Sequence, residues 1–350
     1  QLDLIPTSIL DNIVTSKTFT PDLPGDFTGG SVNIKLKALP ERFTWSVSAS
    51  AAYNSQNNLT EDFLGYANPG IDGLGFLDGS ADIPSAIIDP AARELGAFER
   101  SAARESRRDD EIAGFLDKGI RSLEHNMQPV VMDAGIDHSL SFSVGNQFEF
   151  GGNAKLGVFA TGSYSKDFTQ FKNGTNASYF ASPGEDILLA NFGLTEAKSE
   201  ESPTVNGMLG LSFRPNSSNA INVYSIYSHQ SFLTGRELIG DYDDYGIGGE
   251  GNYFSSQTQS LLQRELISYV VSGEHTLVGL NKTRIEWAAN YVDSEQNEPD
   301  LRFFAYGFDQ DRFDINESQF TLPTRFWRDL TDDTYQGKLD ITVPFLQKKA

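Results

Sequence analysis

The sequence predicts an all-β fold of about eight antiparallel strands, and three observations support this prediction. Apolar and polar residues alternate with period two in eight separate stretches, as in strands whose two faces meet different surroundings. Short connections rich in Gly and Asn alternate with long acidic ones, which is typical of consecutive hairpins. No stretch approaches the roughly 18 apolar residues that a membrane-spanning helix requires.

The strands are predicted in order along the chain. They start near Trp45 and near positions 138, 154, 205, 219, 263, 283 and 334. In each stretch the aliphatic residues share one face and serines or charged residues share the other, as in a barrel wall with a lipid-facing exterior and a polar lumen. We therefore expect an antiparallel transmembrane β-barrel segment, with strands near the roughly 9–11 residues that cross a bilayer when tilted.

The connections between these strands fall into two classes. The short ones lie near residues 150–153, 215–219 and 278–282 and contain the Gly and Asn that tight hairpins use at positive φ. The long ones are residues 55–136, 168–203, 231–262 and 293–333, which together carry a charge of −22, whereas the rest of the chain carries +1. We expect these long segments to be extracellular loops, because long loops occupy the outer end of such barrels.

The first long segment is predicted to contain helix. Asp89 followed by Pro90 is a favourable helix start, and apolar residues recur at helical spacing between Ile112 and Leu123. Packing of that apolar stripe on the loop or on the barrel rim is the favoured interpretation, ahead of a partner-binding helix.

Composition excludes several classes of function. The chain has no cysteine, and its four histidines lie far apart in sequence without a zinc-ligand spacing. A net charge of −21 without a basic stripe argues against a nucleic-acid partner. We therefore predict no catalytic residue, no metal site and no cofactor.

Residues near the beginning of the chain carry a resemblance to a known family. A proline followed by a strand ending at Lys17 precedes a Pro/Asp/Gly-rich loop, and Gly29-Gly30 then opens the stretch Ser31-Val32-Asn33-Ile34-Lys35-Leu36-Lys37. This order resembles the end of the plug domain of TonB-dependent outer-membrane receptors. The match covers about a tenth of the chain. Gly29 and Gly30 would be structural glycines that let the plug chain turn and pack closely.

The resemblance implies a domain organisation and a function. Residues 1–40 would be the C-terminal part of a plug domain, and residues 41–350 the N-terminal part of a barrel of about 22 strands with long extracellular loops. The expected function is energy-coupled uptake of a scarce solute, such as an iron chelate, cobalamin, a glycan or a peptide, across the bacterial outer membrane. The partners would be outer-membrane lipid and lipopolysaccharide, the extracellular solute, and the inner-membrane protein TonB. The segment that contacts TonB would precede Gln1.

One loop is a candidate for ligand contact. Tyrosines alternate with acids at Asp241, Tyr242, Asp243, Asp244 and Tyr245. Tyrosine rings can stack on sugars or chelate rings, and carboxylates accept hydrogen bonds from hydroxyl or amine groups. Bound calcium, or a solvated loop without a ligand, would explain the same residues.

Two other functional classes stay open at the level of sequence. A passive porin-like channel or a surface adhesin barrel would show the same alternation but would not need residues 1–37. An outer-membrane enzyme would need a histidine paired with Ser or Asp on the barrel wall, and the sequence does not visibly offer such a pair.

Overall fold

The structure is a computed structural model of the 350-residue chain. It describes residues 10–18, 31–36, 41–99, 101–151, 153–181, 184, 186–242, 247, 252–309, 312–315 and 323–345. Gly29 and Gly30, the predicted plug glycines, lie outside the described residues, as do Asp243, Asp244 and Tyr245 of the candidate ligand loop.

The described residues form mainly antiparallel β-sheet, together with three helices. The strands are β1 (Leu10–Ser16), β2 (Ser31–Leu36), β3 (Thr44–Ala52), β4 (Phe63–Gly65), β5 (Val130–Met132), β6 (Asp137–Phe150), β7 (Ala154–Ala181), β8 (Leu188–Asn216), β9 (Asn219–Asp241), β10 (Tyr253–Leu277), β11 (Thr283–Asp309), β12 (Arg312–Asp314) and β13 (Thr324–Thr342). The helices are α1 (Pro90–Glu94), α2 (Ala102–Glu105) and α3 (Asp110–Ser122).

One large sheet contains all eight predicted strands as sequential antiparallel neighbours. Its order is β3-β6-β7-β8-β9-β10-β11, and both β13 and the short β12 pair with the far side of β11. Within the described residues this sheet is open, with β3 at one edge and β12 and β13 at the other. The number and order of long strands predicted from the alternation are confirmed.

Seven of the eight strands are longer than the predicted 9–11 residues, whereas β3, with 9 residues, has the predicted length. Strands β7 to β11 contain 28, 29, 23, 25 and 27 residues. The acidic segments 168–203, 231–262 and 293–333, predicted as loops, are therefore mostly strand. Their acidic residues alternate with polar and aromatic ones, and cross-strand hydrogen bonding continues through them to the ends of the hairpins.

The tight turns lie where the sequence predicts them. Asn153 and Asn281 adopt φ values of 70° and 54° in the turns before β7 and β11, a conformation that asparagine tolerates better than most residues. We call the end of the sheet at these turns the turn end. The opposite end, where β7 and β9 end and β8 and β10 begin, is the loop end.

Residues 55–136 form the one long excursion from the described part of the sheet, and we call them the insert. Strands β4 and β5 pair with each other inside it, and three helices replace the single helix that the sequence suggests. Asp89 caps α1 by accepting a hydrogen bond from the Ala91 backbone nitrogen at 3.0 Å, as its position before Pro90 predicts. Ile112 packs with Ala92, Ala97 and Ala102, so the apolar stripe of α3 is used inside the insert.

The beginning of the chain forms a separate small sheet. Strands β1 and β2 pair antiparallel, from Leu10 opposite Leu36 to Ser16 opposite Ser31. The hairpin is compatible with the predicted strand ending near Lys17 and the predicted strand after Gly30.

Candidate functional site

The two faces of the large sheet differ sharply in chemistry, because the register keeps alternating residues of eight strands in phase. One face, the apolar face, includes aliphatic and aromatic residues at the turn end: Trp45, Val47, Leu140, Phe142, Leu156, Val158, Leu209, Leu211, Ile221, Val223, Tyr269, Trp287, Tyr335 and Leu339. The other, the polar face, includes Ser46, Ser48, Ser141, Ser143, Thr161, Asn206, Ser212, Asn222, Ser268, Glu286, Asn290, Lys338 and Asp340.

Exposure along β8 is the reverse of what a water-soluble sheet shows. Leu209 and Leu211 on the apolar face are 62% and 49% exposed, whereas Met208 and Ser212 on the polar face are 2% and 6% exposed. Polar groups on this face bond to each other across strands: Ser228 Oγ donates to Asn206 Oδ1 at 2.8 Å, and Asn206 Nδ2 donates to Ser163 Oγ at 3.4 Å. An exposed aliphatic face of this extent marks a surface that is covered by another apolar phase or by a partner.

The insert covers the apolar face, but only at its loop end. Tyr164, on the apolar face of β7, donates a hydrogen bond from its hydroxyl to the Gly73 carbonyl at 2.8 Å. Pro203 on β8 is fully buried, and the Gly75 backbone lies against it. On β8 the exposed residues of the apolar face are Leu209, Leu211 and Phe213, between the contacts of the insert and the turn at Asn216.

Gly75 anchors the insert on the sheet. Its carbonyl oxygen accepts three hydrogen bonds, from Ser231 Oγ at 2.7 Å, Gln263 Nε2 at 2.5 Å and His229 Nε2 at 3.2 Å. Its φ of +98° is a conformation that side chains rarely adopt, and a Cβ would lie 3.0 Å from Pro203. Phe76 stacks on the His229 ring at 4.2 Å between centroids, so the anchor combines polar and aromatic contacts.

The histidine–serine pair that an outer-membrane enzyme would need is present in this anchor. His229 Nε2 lies 3.4 Å from Ser231 Oγ, and Nδ1 lies 3.4 Å from Glu265 Oε2. Sequence reasoning did not find this pair, although the two residues are two positions apart on one strand face. The Gly75 carbonyl can only accept, so an Nε2 that donates to it does not at the same time take the serine proton. In this arrangement the pair fastens the insert.

A second anchor is ionic and lies towards β13. Asp300 binds two guanidiniums, those of Arg302 at 2.8 Å and Arg325 at 2.5 Å, and all three side chains are nearly fully buried. Arg302 also donates to the carbonyls of Ala67 and Asn126 in the insert, at 3.0 and 2.9 Å. Asp300 itself has a φ of +55° at an irregularity in the pairing of β11, which turns the carboxylate towards both arginines.

Tyr66 of the insert completes this anchor. Its hydroxyl donates to the Asp300 carbonyl at 2.7 Å, and the Arg302 guanidinium lies 4.8 Å from its ring centroid. Burial, together with the charge of Asp300, raises the pKa of Tyr66, so the hydroxyl stays a neutral donor.

Close backbone approach explains one glycine of the sheet. Strand β4 lies over β9 at Gly235, where a Cβ would be 2.3 Å from the Leu64 carbonyl oxygen. The absence of a side chain therefore lets the insert rest directly on the sheet.

The loop-end half of the polar face is the candidate ligand-binding surface, because it is rich in charges and the described part of the insert lies on the opposite face. Three of its cations form ion pairs: Arg236 with Glu196 at 2.7 Å, Lys198 with Glu200 at 3.1 Å, and Arg328 with Glu298. Thr234 and Ser260 donate to Glu200 and Glu298, at 3.1 and 3.3 Å. This surface was missed from the sequence because these residues were assigned to loops.

The candidate ligand loop begins at the outer limit of this surface. Asp241 is exposed and pairs with Gly193 in the last step of the β8–β9 ladder. Tyr242 packs against Phe192 and Phe254, with centroid distances of 5.1 and 5.0 Å. The Tyr242 ring thus belongs to an apolar cluster that includes Leu194 and Ala305.

The described residues contain no cluster of three or more His, Asp or Glu side chains that could hold a metal ion. None of the described helices is long and apolar enough to cross a membrane. No protein family model, curated protein or solved structure matches this chain.

Proposed function

We propose that this chain is part of a TonB-dependent outer-membrane receptor that takes up a scarce solute. The observation that carries the proposal is the register of eight long strands, which keeps an exposed aliphatic face opposite a face of serines, amides and charges. This is the chemistry of a barrel wall between lipid and an aqueous lumen. The resemblance of residues 1–37 to the end of a plug domain gives the proposal its specific family.

The proposal implies positions for the lipid, the insert, the solute and the plug. Lipid would cover the apolar face between the turns and the insert, and the insert would stand above the membrane next to lipopolysaccharide. The solute would bind at the loop end of the polar face, above the plug. Energy supplied through TonB would then rearrange the plug and open the lumen.

The three tryptophans of the chain allow a direct test. Trp45 and Trp287 lie on the uncovered part of the apolar face, whereas Trp327 lies under the insert and donates from Nε1 to the Ala81 carbonyl at 2.9 Å. Three single-tryptophan variants of the full-length protein would be reconstituted into vesicles with brominated acyl chains. Fluorescence of Trp45 and Trp287 should be quenched strongly, and that of Trp327 weakly. Equal quenching of all three would contradict the membrane placement.

The candidate ligand loop has its own test. Replacing Asp241, Tyr242, Asp243, Asp244 and Tyr245 together by Ser and Gly should weaken solute binding and uptake if these side chains contact the ligand. The measurement is equilibrium binding and uptake of the transported solute by cells with normal surface expression. Unchanged affinity would remove these five residues from the binding site without affecting the topology.

A further inference from the structure

Arg264 stands out among the cations at the loop end of the polar face. Its side chain is half-buried on β10, and none of the described carboxylates forms an ion pair with it. Its Nε donates to Gln296 Oε1 at 3.2 Å, and its guanidinium carbon lies 5.6 Å from the centroid of the Phe232 ring. The neighbouring cations Arg236, Lys198 and Arg328 all have carboxylate partners.

The surroundings of Arg264 leave hydrogen-bonding capacity unused. A guanidinium has five N–H donors, and the contact with Gln296 uses one of them. Gln230 lies directly opposite Arg264 on β9, and its buried Oε1 has no hydrogen-bond partner. The Gln230 NH₂ group is not buried in this way, so it can donate a hydrogen bond to a ligand beside Arg264.

These features select a ligand chemistry. The planar fork of a guanidinium matches the two oxygens of a carboxylate, and an aromatic ring beneath it helps to fix its plane. Arg264 carries one positive charge and forms no ion pair with a described carboxylate, so it can balance a single negative charge on a ligand. A doubly charged phosphate would leave one charge facing the carboxylates of Glu196, Glu200 and Glu298.

We propose that Arg264, with the amides of Gln230 and Gln296, binds a carboxylate group of the transported solute. The inference rests on the proposed function for the identity of this face as the lumen wall. It makes Arg264 a specificity-determining residue and narrows the solute to carboxylate-bearing molecules.

Equilibrium dialysis with radiolabelled acetate, a monocarboxylate, tests this assignment on the full-length protein in detergent. Arg264→Gln should weaken acetate binding about tenfold, because hydrogen bonds to charged groups are the strong ones. Arg264→Lys keeps the charge and the aliphatic stem, and its acetate affinity should fall about threefold because it lacks the planar fork. The matched control is Arg284→Gln, which removes an arginine from the turn end of the same face, where Glu274 and Glu286 already pair with it. The control should bind acetate like the wild type.

Three results would overturn the assignment. They are unchanged acetate affinity in Arg264→Gln, an equal loss in Arg284→Gln, and binding of inorganic phosphate as tightly as acetate by the wild type. The dialysis measures a site on the protein and requires no membrane. Failure of tryptophan quenching in vesicles would therefore reject the membrane receptor and leave the arginine site intact. Failure of the dialysis experiment would reject the arginine site and leave the membrane receptor intact.

Discussion

Replacing Asp300 by Asn is expected to lower the free energy of unfolding by about 3–5 kcal/mol, because two buried guanidiniums lose their common counter-charge. The side chains of Asp300, Arg302 and Arg325 are 5%, 2% and 9% exposed, so solvent cannot replace the lost interaction. Asparagine has nearly the same shape and tolerates the φ of +55° at this position. The substitution therefore removes the charge and leaves the backbone largely undisturbed.

Trp327 is a suitable reporter for this experiment, since it joins β13 to the Ala81 carbonyl of the insert. Urea unfolding followed by Trp327 fluorescence, with Trp45 and Trp287 replaced by Phe, should show a lower midpoint, and proteases should cut the insert sooner. Asp117→Asn is the control, because it breaks an exposed ion pair with Arg121 on α3 and should leave the midpoint unchanged. Equal midpoints for both variants would show that the buried network does not hold the insert.

Local sequence patterns predicted the strand order and the chemistry of the two faces. Successive side chains of a strand point to opposite faces, so Leu209 and Leu211 share one face and Ser212 lies on the other. The turns at Asn153 and Asn281 were predictable for a similar reason, since positive φ restricts the residue type at each position. The identity of the face that meets lipid remains a proposal.

The position of the insert could not be predicted, because its anchors join residues that are far apart in sequence. Tyr66 and Asp300 are 234 positions apart, and Gly75 and His229 are 154 apart. No periodicity links such residues. Strand lengths were underestimated because the loop-end halves carry acids such as Glu196 and Glu298, which resemble loop residues until their cross-strand cations are known.

Replacing Leu209 by Arg is expected to destabilise the protein in a bilayer by about 2–4 kcal/mol, the cost of arginine on the lipid face near the midplane. Leu209 lies seven residues from Asn216 at the turn end and six from Pro203 under the insert, so it is about midway between the insert and the turns. Because 62% of the Leu209 surface is exposed, the same substitution in a water-facing sheet would change the stability little.

The matched control is Asn222→Arg on the polar face of β9, where water in the lumen can solvate the guanidinium. Urea unfolding of the full-length protein from phospholipid vesicles should separate the two variants, with only Leu209→Arg losing stability. Equal stability of both variants would reject lipid as the phase that covers the apolar face, and with it the barrel wall on which the proposed receptor depends.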